Sequence, residues 1–484
     1  MNNYTYNSKE QCEHNSNINL NPKFKTFKQF VFTCGDKEDL KNKLIKPRKK
    51  SLEKQESSNE INKYNILELT NQNKKLFVDY PLYKNISQED SFRTSLKYLF
   101  FKIKFGIYVQ IKSNKLTMFI PFNNQHFKNN WSHLIELEEG KTWTTYNRDK
   151  AKDFDSKYIN WEKDNSKWEI DNCVLDNRAN RNYKLINASY YISMFNETLK
   201  SRKINDVEFF INHRDFPILK NNYTQPYYHL YNDESIPLEK KYQSKQFLPI
   251  ISMSSRIGYM DIMLPTVDDW EIGNQSIHHG MCRDQYINFE SKIETNWDKK
   301  IDKVIFRGAT TDCGYNSQTS ARYLVHKLSQ MKEIPELDAG ITKIWFNDIK
   351  LANTSLHYPE KINVVEPIPF VKMSQYKYIL NIDGSVTAFR ISAELAFGSV
   401  ILKVDSDYKI WYLELLKPYI HYIPIKKDLS DLKEKIEWCK ENQDKCKQIG
   451  INSRKFYLEY INKNKMMDYI QDTLNLISNS HTNS

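Results

Sequence analysis

Residues suited to binding an anion follow a predicted strand in the segment YILNIDGSVTAFRISAELAFGSVILKVDSD (378–407). The strand leads through Gly384 into a helix predicted from about 386 to 397. Backbone N–H groups at the start of a helix and the helix macrodipole both favour negative charge. Arg390 lies one turn into this helix, and a guanidinium makes forked contacts with phosphate. The segment therefore predicts a phosphate site, although an arginine on a helix surface is the commoner meaning of this pattern.

A second predicted strand ends in a similar way at IFRGATT (305–311), and Arg322 lies on the helix predicted after it. Two strand ends that both offer arginine could clamp a diphosphate without a metal. Ordinary surface arginines remain the alternative at both places, because neither pattern is specific. The chain contains neither G-x-G-x-x-G nor the Walker sequence, which argues against dinucleotide oxidoreductases and P-loop ATPases.

Carboxylates at two places could take part in proton transfer or metal binding. Asp215 follows the predicted strand VEFFIN (207–212) and precedes a Phe-Pro pair. An apolar setting would disfavour its charged form, as suits a general base, while a salt bridge to Arg214 or a turn cap explains it equally well. Asp405 and Asp407 stand at i and i+2 after a strand. That spacing could hold a divalent cation carrying a nucleotide sugar, although acids in a solvated loop are commoner.

The elements that must position these residues alternate between strands and helices from about residue 185. The pattern predicts a helix over 186–200, strands over 207–212 and 378–382, and a strand over 400–402 after a helix stop at Gly398. A strand, a helix and a strand in this order form a β-α-β unit with parallel strands. This part of the chain is therefore predicted to be α/β.

Two further elements are predicted on either side of that region. The run FGIYVQIKSNKLTMFIP (105–121) contains two alternating stretches around Ser113-Asn114, which is typical of a β-hairpin. Asp428 is the predicted N-cap of a helix near the C-terminus. The apolar face of that helix is predicted from the three- and four-residue spacing of Leu429, Leu432, Ile436 and Cys439.

Composition excludes several classes of protein. The 484 residues are 40% hydrophobic, with only 12 glycines and 15 prolines, so the chain is neither collagen-like nor wholly disordered. The net charge of +11 favours anionic ligands without identifying them. The basic stretch 41–54 lies in an Asn- and Lys-rich region and could contact nucleic acid. A solvated linker is the commoner meaning of such a stretch.

Compartment and membrane association are predicted from three features. The most apolar stretch (98–111) contains two lysines and is too short to span ~30 Å of hydrocarbon. The N-terminal sequence MNNYTYNSKEQCEHN lacks the apolar core of a secretory signal. The seven cysteines include no C-x-x-C pair, so neither a disulfide framework nor a zinc ribbon is predicted. We therefore expect a cytoplasmic protein with no membrane span.

Several segments together resemble glycosyltransferase family 90. This family includes the animal protein O-glucosyltransferases and the fungal capsule-associated proteins that resemble xylosyltransferases. The matching segments occur in the family's order and span roughly 200–460. They are INHRDFP (211–217), SMSSRIGYMDIMLP (252–265), IFRGATT (305–311), LDAGIT (337–342), YKYILNIDGSVTAFR (376–390) and LKPYIHYIPIKKDLSDLKEKIEW (416–438).

The resemblance implies a fold and an activity. The fold would be α/β and GT-B-like, with two Rossmann-like halves, a cleft between them and an N-terminal extension. The activity would be transfer of a sugar from a UDP-sugar, of the UDP-glucose or UDP-xylose type, to a protein or glycan acceptor. The family inverts the anomeric centre and needs neither a metal nor another cofactor. No nucleic-acid partner is implied.

The resemblance also assigns roles by motif position. Asp215 matches the catalytic base, Arg390 the arginine that binds the donor diphosphate, and Arg322 the arginine on the helix after F-R-G. Asp405 falls where the family often has an acid near the donor sugar. Backbone groups that line the UDP site fall at Gly308, Ser385, Val386 and Thr387.

The predicted organisation has five parts, and three other functions stay open beside metal-independent sugar transfer. The parts are an extension (1–85), an accessory region with the hairpin (86–184), an acceptor-side half with the base (185–300), a donor-binding half (301–430) and C-terminal helices that pack back on the fold (431–484). The alternatives are a metal-dependent GT-A-type transferase that uses Asp405 and Asp407, a polyanion-binding protein, and a catalytically inactive family member.

Overall fold

The structure is a computed structural model. It describes residues 88–123, 188–231, 235–244, 247–274, 288–311, 320–344 and 362–481, with short pieces at 69–71, 73, 168–170, 173–175 and 286. The basic stretch 41–54 and most of the predicted extension lie outside these residues.

The strands form two main sheets and two short pairs in the described part of the chain. In chain order they are β1 (Phe105–Lys112), β2 (Lys115–Asn123), β3 (Trp168–Ile170), β4 (Cys173–Leu175), β5 (Val207–Asn212), β6 (Ile250–Ser252), β7 (Ser255–Arg256), β8 (Ile262–Met263), β9 (Ile301–Ala309), β10 (Leu337–Lys343), β11 (Tyr376–Asn381), β12 (Val400–Val404), β13 (Tyr408–Lys409) and β14 (Ile423–Ile425).

The α-helices of the described residues cover the sheets. They are α1 (Gln88–Lys97), α2 (Ala188–Ser201), α3 (Val267–Asn274), α4 (Phe289–Lys292), α5 (Ala321–Met331), α6 (Phe370–Met373), α7 (Ile391–Ala396), α8 (Leu432–Glu441), α9 (Gln443–Tyr460) and α10 (Lys463–His481). Within the part of the chain described here, none of them combines the length and the apolar character that crossing a bilayer requires.

The N-terminal sheet has five strands in the order β2-β1-β5-β6-β8. Strands β1 and β2 are antiparallel, whereas β5, β6 and β8 run parallel. The turn between β1 and β2 places Ser113 (φ +49°) and Asn114 (φ +58°) in the left-handed region, as a tight hairpin turn requires. The predicted hairpin is therefore confirmed, and it belongs to the same sheet as β5.

The C-terminal sheet has five strands in the order β10-β9-β11-β12-β14, and all of its pairs are parallel. Every residue of β12 is buried, as expected for a strand covered on both faces. Strands β11 and β12 flank α7, which confirms the β-α-β unit. Two halves, each built on a sheet with parallel strands, confirm the α/β, GT-B-like fold class.

The helix predicted from 386 is shorter than the sequence suggests. Helix α7 starts only at Ile391, and the residues before it form bends. The Asp383 side chain accepts a hydrogen bond from Ala388 N (3.1 Å), which closes a loop in place of the first helical turn. The predicted helix start is therefore wrong, while the predicted stop at Gly398 (φ +66°) is confirmed. A site at this loop cannot depend on a helix N-terminus.

Near the C-terminus the predicted helix is present with a different cap. Helix α8 begins after Asp431, not after Asp428, and Leu429 lies before the helix with φ +58°. The Asp428 carboxylate accepts instead from Ser430 N (3.0 Å) in the preceding turn. Farther on, α10 packs against α2 and β5 of the N-terminal half.

The two halves are tied together by a small β-ribbon between β7 and β13. Ser255 pairs with Lys409 and Arg256 pairs with Tyr408 in antiparallel register. Elsewhere, Trp411 Nε1 donates to the buried carboxylate of Asp269 at 2.8 Å. These contacts fix the N-terminal sheet relative to the loops that follow the C-terminal strands.

Candidate functional site

Two loops meet at the carboxyl ends of the strands in the C-terminal sheet, and Arg322 holds them together. Arg322 lies at the start of α5 and is only 6% exposed. Its guanidinium donates four hydrogen bonds of 2.8–2.9 Å, to Ala309 O, Thr311 Oγ1, Ile382 O and Asp383 O. Most of its N–H groups therefore bind protein atoms, and its contact with a diphosphate remains a prediction.

Gly308 lies directly beside this clamp. A Cβ atom at this position would lie 2.9 Å from the Phe306 ring and 3.4 Å from Arg322 Nη1. A side chain would therefore displace the ring or the guanidinium. The predicted approach of a ligand to the Gly308 backbone remains a prediction, but the close packing explains why glycine stands here.

Arg390 is placed differently from Arg322. Its Nε donates to Glu394 Oε1 (2.9 Å) and its Nη1 to Arg307 O (3.0 Å). Its Nη2 is buried and has no hydrogen-bond partner among the described residues. Arg390 also lies over the Phe306 ring at 5.6 Å from the centroid, and Arg322 lies 5.9 Å from the same centroid. Two guanidinium groups thus share one aromatic ring.

Other polar atoms of the loop before α7 are also buried without a partner in the described part of the chain. They are Thr387 Oγ1, on a residue that is 3% exposed, and Asp383 Oδ2. Leaving a buried polar group unpaired costs about 1–3 kcal/mol, so such atoms are uncommon unless a ligand completes them. Arg390 Nη2 and Thr387 Oγ1 can both donate to an anion, whereas Asp383 Oδ2 can only accept from a hydroxyl or another donor. The two donors make this loop a candidate site for a polar, anionic ligand.

The side chains of the other predicted residues in this loop make contacts within the protein that hold the loop in place. Ser385 Oγ donates to Thr311 O at 3.1 Å, which joins the loop to the one after β9. Val386 is 2% exposed and belongs to the large hydrophobic core. Their backbone contacts to a nucleotide remain predictions.

Arg307, the other arginine at a strand end, is engaged elsewhere. Its guanidinium forms an ion pair with Asp338 Oδ1 (2.7 Å) and donates to Asp338 O (2.9 Å). Asp338 lies on the neighbouring strand β10, so this pairing follows from the parallel register of β9 and β10. The sequence shows LDAGIT as a motif but gives no sign that its acid holds Arg307.

Asp215 lies in the loop after β5 and is half-buried. Asn212 supports this loop from within, because its Nδ2 donates to Phe216 O (2.7 Å) and its Oδ1 accepts from Arg214 N (3.1 Å). Asn212 Nδ2 also donates to Ser252 Oγ at 3.1 Å. The backbone around Asp215 is therefore held by a buried polar side chain, which limits where the carboxylate can point.

Asp261, which the sequence analysis did not single out, holds the end of the same loop. Its carboxylate accepts from Ile218 N (3.0 Å), Leu219 N (2.9 Å) and Ser252 Oγ (2.7 Å). Asp261 is fully buried. Desolvation raises its pKa from 3.8 to about 6, against the opposing effect of these hydrogen bonds.

The raised pKa of Asp261 predicts a pH-dependent stability. The folded protein binds the proton more tightly than the unfolded chain, so the resulting stabilisation is complete below pH 3.8 and disappears as the pH rises through about 6. One such group changes the free energy of unfolding by up to about 3 kcal/mol. Denaturant unfolding between pH 4 and 7 should therefore show a smaller pH slope for Asp261→Asn than for the parent chain. Burial also raises the pKa of Asp269 to about 6, so a pH slope from Asp269 remains in both proteins. Only the difference between the two slopes reports on Asp261, and equal slopes would contradict this prediction.

The Asp215 loop contacts the C-terminal half through aromatic side chains. The ring centroids of Phe216 and Tyr408 are 6.4 Å apart, and His229 Nε2 is 2.9 Å from the Tyr408 hydroxyl. Desolvation lowers the pKa of His229 to about 3, so the ring is neutral at ordinary pH. Because Tyr408 comes three residues after Asp405, these contacts place the loops of Asp215 and Asp405 next to each other.

Asp405 and Asp407 have different surroundings. Asp407 Oδ2 lies 3.3 Å from Arg256 Nη2 and 3.6 Å from Lys427 Nζ, so two cations already face its carboxylate. Asp405 is exposed, and its pKa is raised by desolvation, with Lys403 opposing the shift. Within the described residues, no group of three or more His, Cys, Asp and Glu side chains is arranged to hold a metal ion.

Comparison with known proteins gives a family match. Residues 161–480 match the model of glycosyl transferase family 90. The chain is 33% identical to protein 035R of Invertebrate iridescent virus 3, over 99% of this chain and 45% of that protein. It is 30% identical to protein O-glucosyltransferase 2 of Danio rerio, over 52% of this chain and 43% of that protein. The chain thus spans less than half the length of each of these relatives.

A solved structure of a glycosyltransferase from Rickettsia africae also aligns with the chain. It covers 61% of this chain and 75% of its own, at 14% identity and a TM-score of 0.28. A likeness of this size does not bear on the fold or the function.

Proposed function

The chain belongs to glycosyltransferase family 90, and from this premise we propose that it transfers a hexose or pentose from a UDP-sugar to an acceptor hydroxyl with inversion. The observation that carries the proposal is the guanidinium of Arg390, whose Nη2 is buried without a partner in the described part of the chain. A cation in this state, in the same segment of chain as the unpaired Thr387 hydroxyl, suits the diphosphate of a nucleotide sugar.

In the proposed reaction, Asp215 removes the proton from the acceptor hydroxyl. The acceptor oxygen then forms a bond to C1 of the donor sugar from the face opposite UDP, and the bond between C1 and the UDP oxygen breaks. The leaving diphosphate takes up negative charge, which the Arg390 guanidinium stabilises. Arg322 holds the two loops together. We also propose that Arg322 contacts the diphosphate directly.

The half-buried position of Asp215 and its fixed loop support its role as the base. A general base must be held within hydrogen-bond reach of the acceptor proton, and geometry matters before pKa. The contacts of Phe216 and His229 with Tyr408 bring this loop to the half that carries Arg390. Asp215 can thus act on the acceptor while the half that carries Arg390 holds the donor.

We further propose that neither a metal nor another cofactor takes part, and that the acceptor is a protein hydroxyl. The metal-dependent alternative requires Asp405 and Asp407 to share a cation. Asp407 already has Arg256 and Lys427 as partners, which disfavours that use of its carboxylate. The names of the O-glucosyltransferase relatives favour a protein acceptor over a glycan.

The proposal predicts donor-selective release of UDP by the purified chain. We expect turnover with one member of a panel that includes UDP-glucose, UDP-xylose and UDP-galactose. Millimolar EDTA should change the rate by less than about twofold, because in the proposed mechanism preorganised side chains and not a metal stabilise the leaving group. Release of UDP is measured with each donor, with water or a serine-containing peptide as the acceptor.

Three outcomes separate the competing functions. Loss of turnover on chelation would replace the proposal with the metal-dependent mechanism. Tight UDP binding without turnover would indicate an inactive family member. No binding of UDP, together with salt-sensitive binding of polyanions, would favour the polyanion-binding alternative.

A further inference from the structure

A fully buried carboxylate lies directly behind the arginine of the proposed donor site. Glu394 is 0% exposed, and its two oxygens accept from Arg390 Nε (2.9 Å) and from Asn381 Nδ2 (2.6 Å). Asn381 is the last residue of β11 and is itself fully buried. A chain of contacts therefore runs from the end of a central strand, through Glu394, to the guanidinium.

The geometry of these contacts fixes the guanidinium without occupying all of it. Glu394 binds the Nε edge and Arg307 O accepts from Nη1 (3.0 Å), so the plane of the group is set from two directions. Nη2 is buried and has no partner among the described residues. An arginine held in this way is preorganised to bind a ligand through Nη2, because the rotamer entropy of a long side chain has already been lost.

Stabilisation of the helix does not explain Glu394. An i, i+4 ion pair on an exposed helix stabilises that helix only slightly. Helix α7 has only six residues, and taking a carboxylate out of water costs several kcal/mol unless its partners compensate. An apolar side chain at 394 would avoid the cost of burying a charge, but it would leave Arg390 Nε and Asn381 Nδ2 without this acceptor. The acid is therefore better explained by what it does to Arg390.

Electrostatics couples the two groups. Desolvation raises the pKa of Glu394, while the Arg390 guanidinium and the Asn381 amide oppose that shift. The charge of Arg390 thus favours the ionised carboxylate, and the ionised carboxylate in turn orients the charge of Arg390. Removing either charge leaves the other buried with weaker compensation.

We infer that Glu394 is a positioning residue that holds the Arg390 guanidinium in place for the donor diphosphate, an inference that rests on the proposed function. Glu394 does not touch the substrate. It acts only through Arg390, so its loss should weaken the binding of phosphate groups and leave the binding of the nucleoside unchanged.

The test compares the binding of UDP and uridine to the whole chain. Glu394→Gln keeps the size of the side chain but loses its charge, and we expect the Kd of UDP to rise about tenfold while the Kd of uridine stays within twofold. In an Arg390→Ala background, the same substitution should have no further effect on UDP, because the residue through which Glu394 acts is gone. Calorimetry measures UDP and ligand-observed NMR measures uridine.

A matched control is Asp468→Asn. Asp468 Oδ1 contacts Arg202 Nε at 2.7 Å, so the same kind of pair is neutralised away from the site, and UDP affinity should stay within twofold. Glu394→Asp, which keeps the charge but withdraws it by one methylene, gives a second measurement if the glutamine variant does not fold. We expect Glu394→Asp to weaken the binding of UDP and to leave the binding of uridine unchanged.

Three results would overturn the inference. Unchanged UDP affinity in the Glu394 variants would show that Arg390 needs no positioning, while the proposed function would stand. An equal loss of UDP and uridine binding would indicate a general structural role. If the parent chain binds no UDP at all, the proposed function fails first, and the inference fails with it.

Discussion

Replacing Asp215 with asparagine should lower the rate of sugar transfer by about 10²–10⁴-fold, the range that a general base usually contributes. Asparagine keeps the size of the side chain but cannot accept a proton from the acceptor hydroxyl. UDP affinity should stay within about twofold, because Asp215 lies after β5 of the N-terminal half and the proposed diphosphate contacts lie in the other half. Transfer to an acceptor is measured at saturating donor, and UDP binding is measured separately.

The control for this variant is Asp298→Asn. Asp298 is an exposed acid that pairs with Lys447 at 3.2 Å, so its loss should leave both measurements unchanged. An Asp215→Asn variant that retains full activity would remove Asp215 from the role of base. Asp405, whose loop lies next to that of Asp215, would then be the next candidate for the base.

Arg390→Ala should lower kcat/KM for the donor by about 10²–10³-fold, as the loss of one preorganised contact to developing charge usually does, a change of about 3–4 kcal/mol. UDP affinity should fall as well, because the diphosphate carries its charge in the ground state too. The variant also leaves Glu394 as a buried acid without its cation. Its thermal unfolding must therefore be measured beside its kinetics.

Arg202→Ala is the matched control for Arg390→Ala. Arg202 also forms an ion pair through Nε, with Asp468 at 2.7 Å, and lies away from the site. We expect it to leave UDP affinity unchanged. If both variants weakened UDP binding equally, the effect would reflect the net charge of the protein, and Arg390 would have no specific role in the donor site.

The contact between the two halves bears on catalysis because the proposed base and the proposed diphosphate ligand lie on different sheets. The ribbon of β7 and β13 and the pair of His229 and Tyr408 join them close to Asp215. In the proposed mechanism, the distance between the two halves of the protein therefore determines how near the acceptor oxygen comes to the donor sugar. Misplacement by about 1 Å can cost about 10²-fold in rate.

Much of the fold could be predicted from the sequence where the signal is local. The hairpin over 105–121 follows from alternating residues around Ser113-Asn114, and the β-α-β unit follows from the order of strand, helix, glycine and strand. Both are confirmed, because side-chain periodicity reflects which face of an element is buried. The resemblance to the family rests on short motifs in a fixed order, which the sequence also contains, although the F-R-G-S of the family is F-R-G-A here, with Ala309 in place of the serine.

The errors arose where a side chain competes with a regular element for backbone hydrogen bonds. Asp383 accepts from Ala388 N, so the chain bends where a helix was predicted from 386. Asp428 accepts from Ser430 N in a turn, and the helix begins after Asp431 instead. Side-chain bonds of this kind are weak signals in a sequence, since each depends on a partner only a few residues away adopting one conformation.

The sequence by itself determined the inventory of the site: an acid after one strand, arginines near two others, and the family that combines them. Only the tertiary structure decided what each arginine does. Arg307 is paired with Asp338, Arg322 binds loop carbonyls, and Arg390 keeps Nη2 unpaired among the described residues. The sequence could not decide this, because the partners come from neighbouring strands and loops whose proximity arises only when the parallel sheet forms.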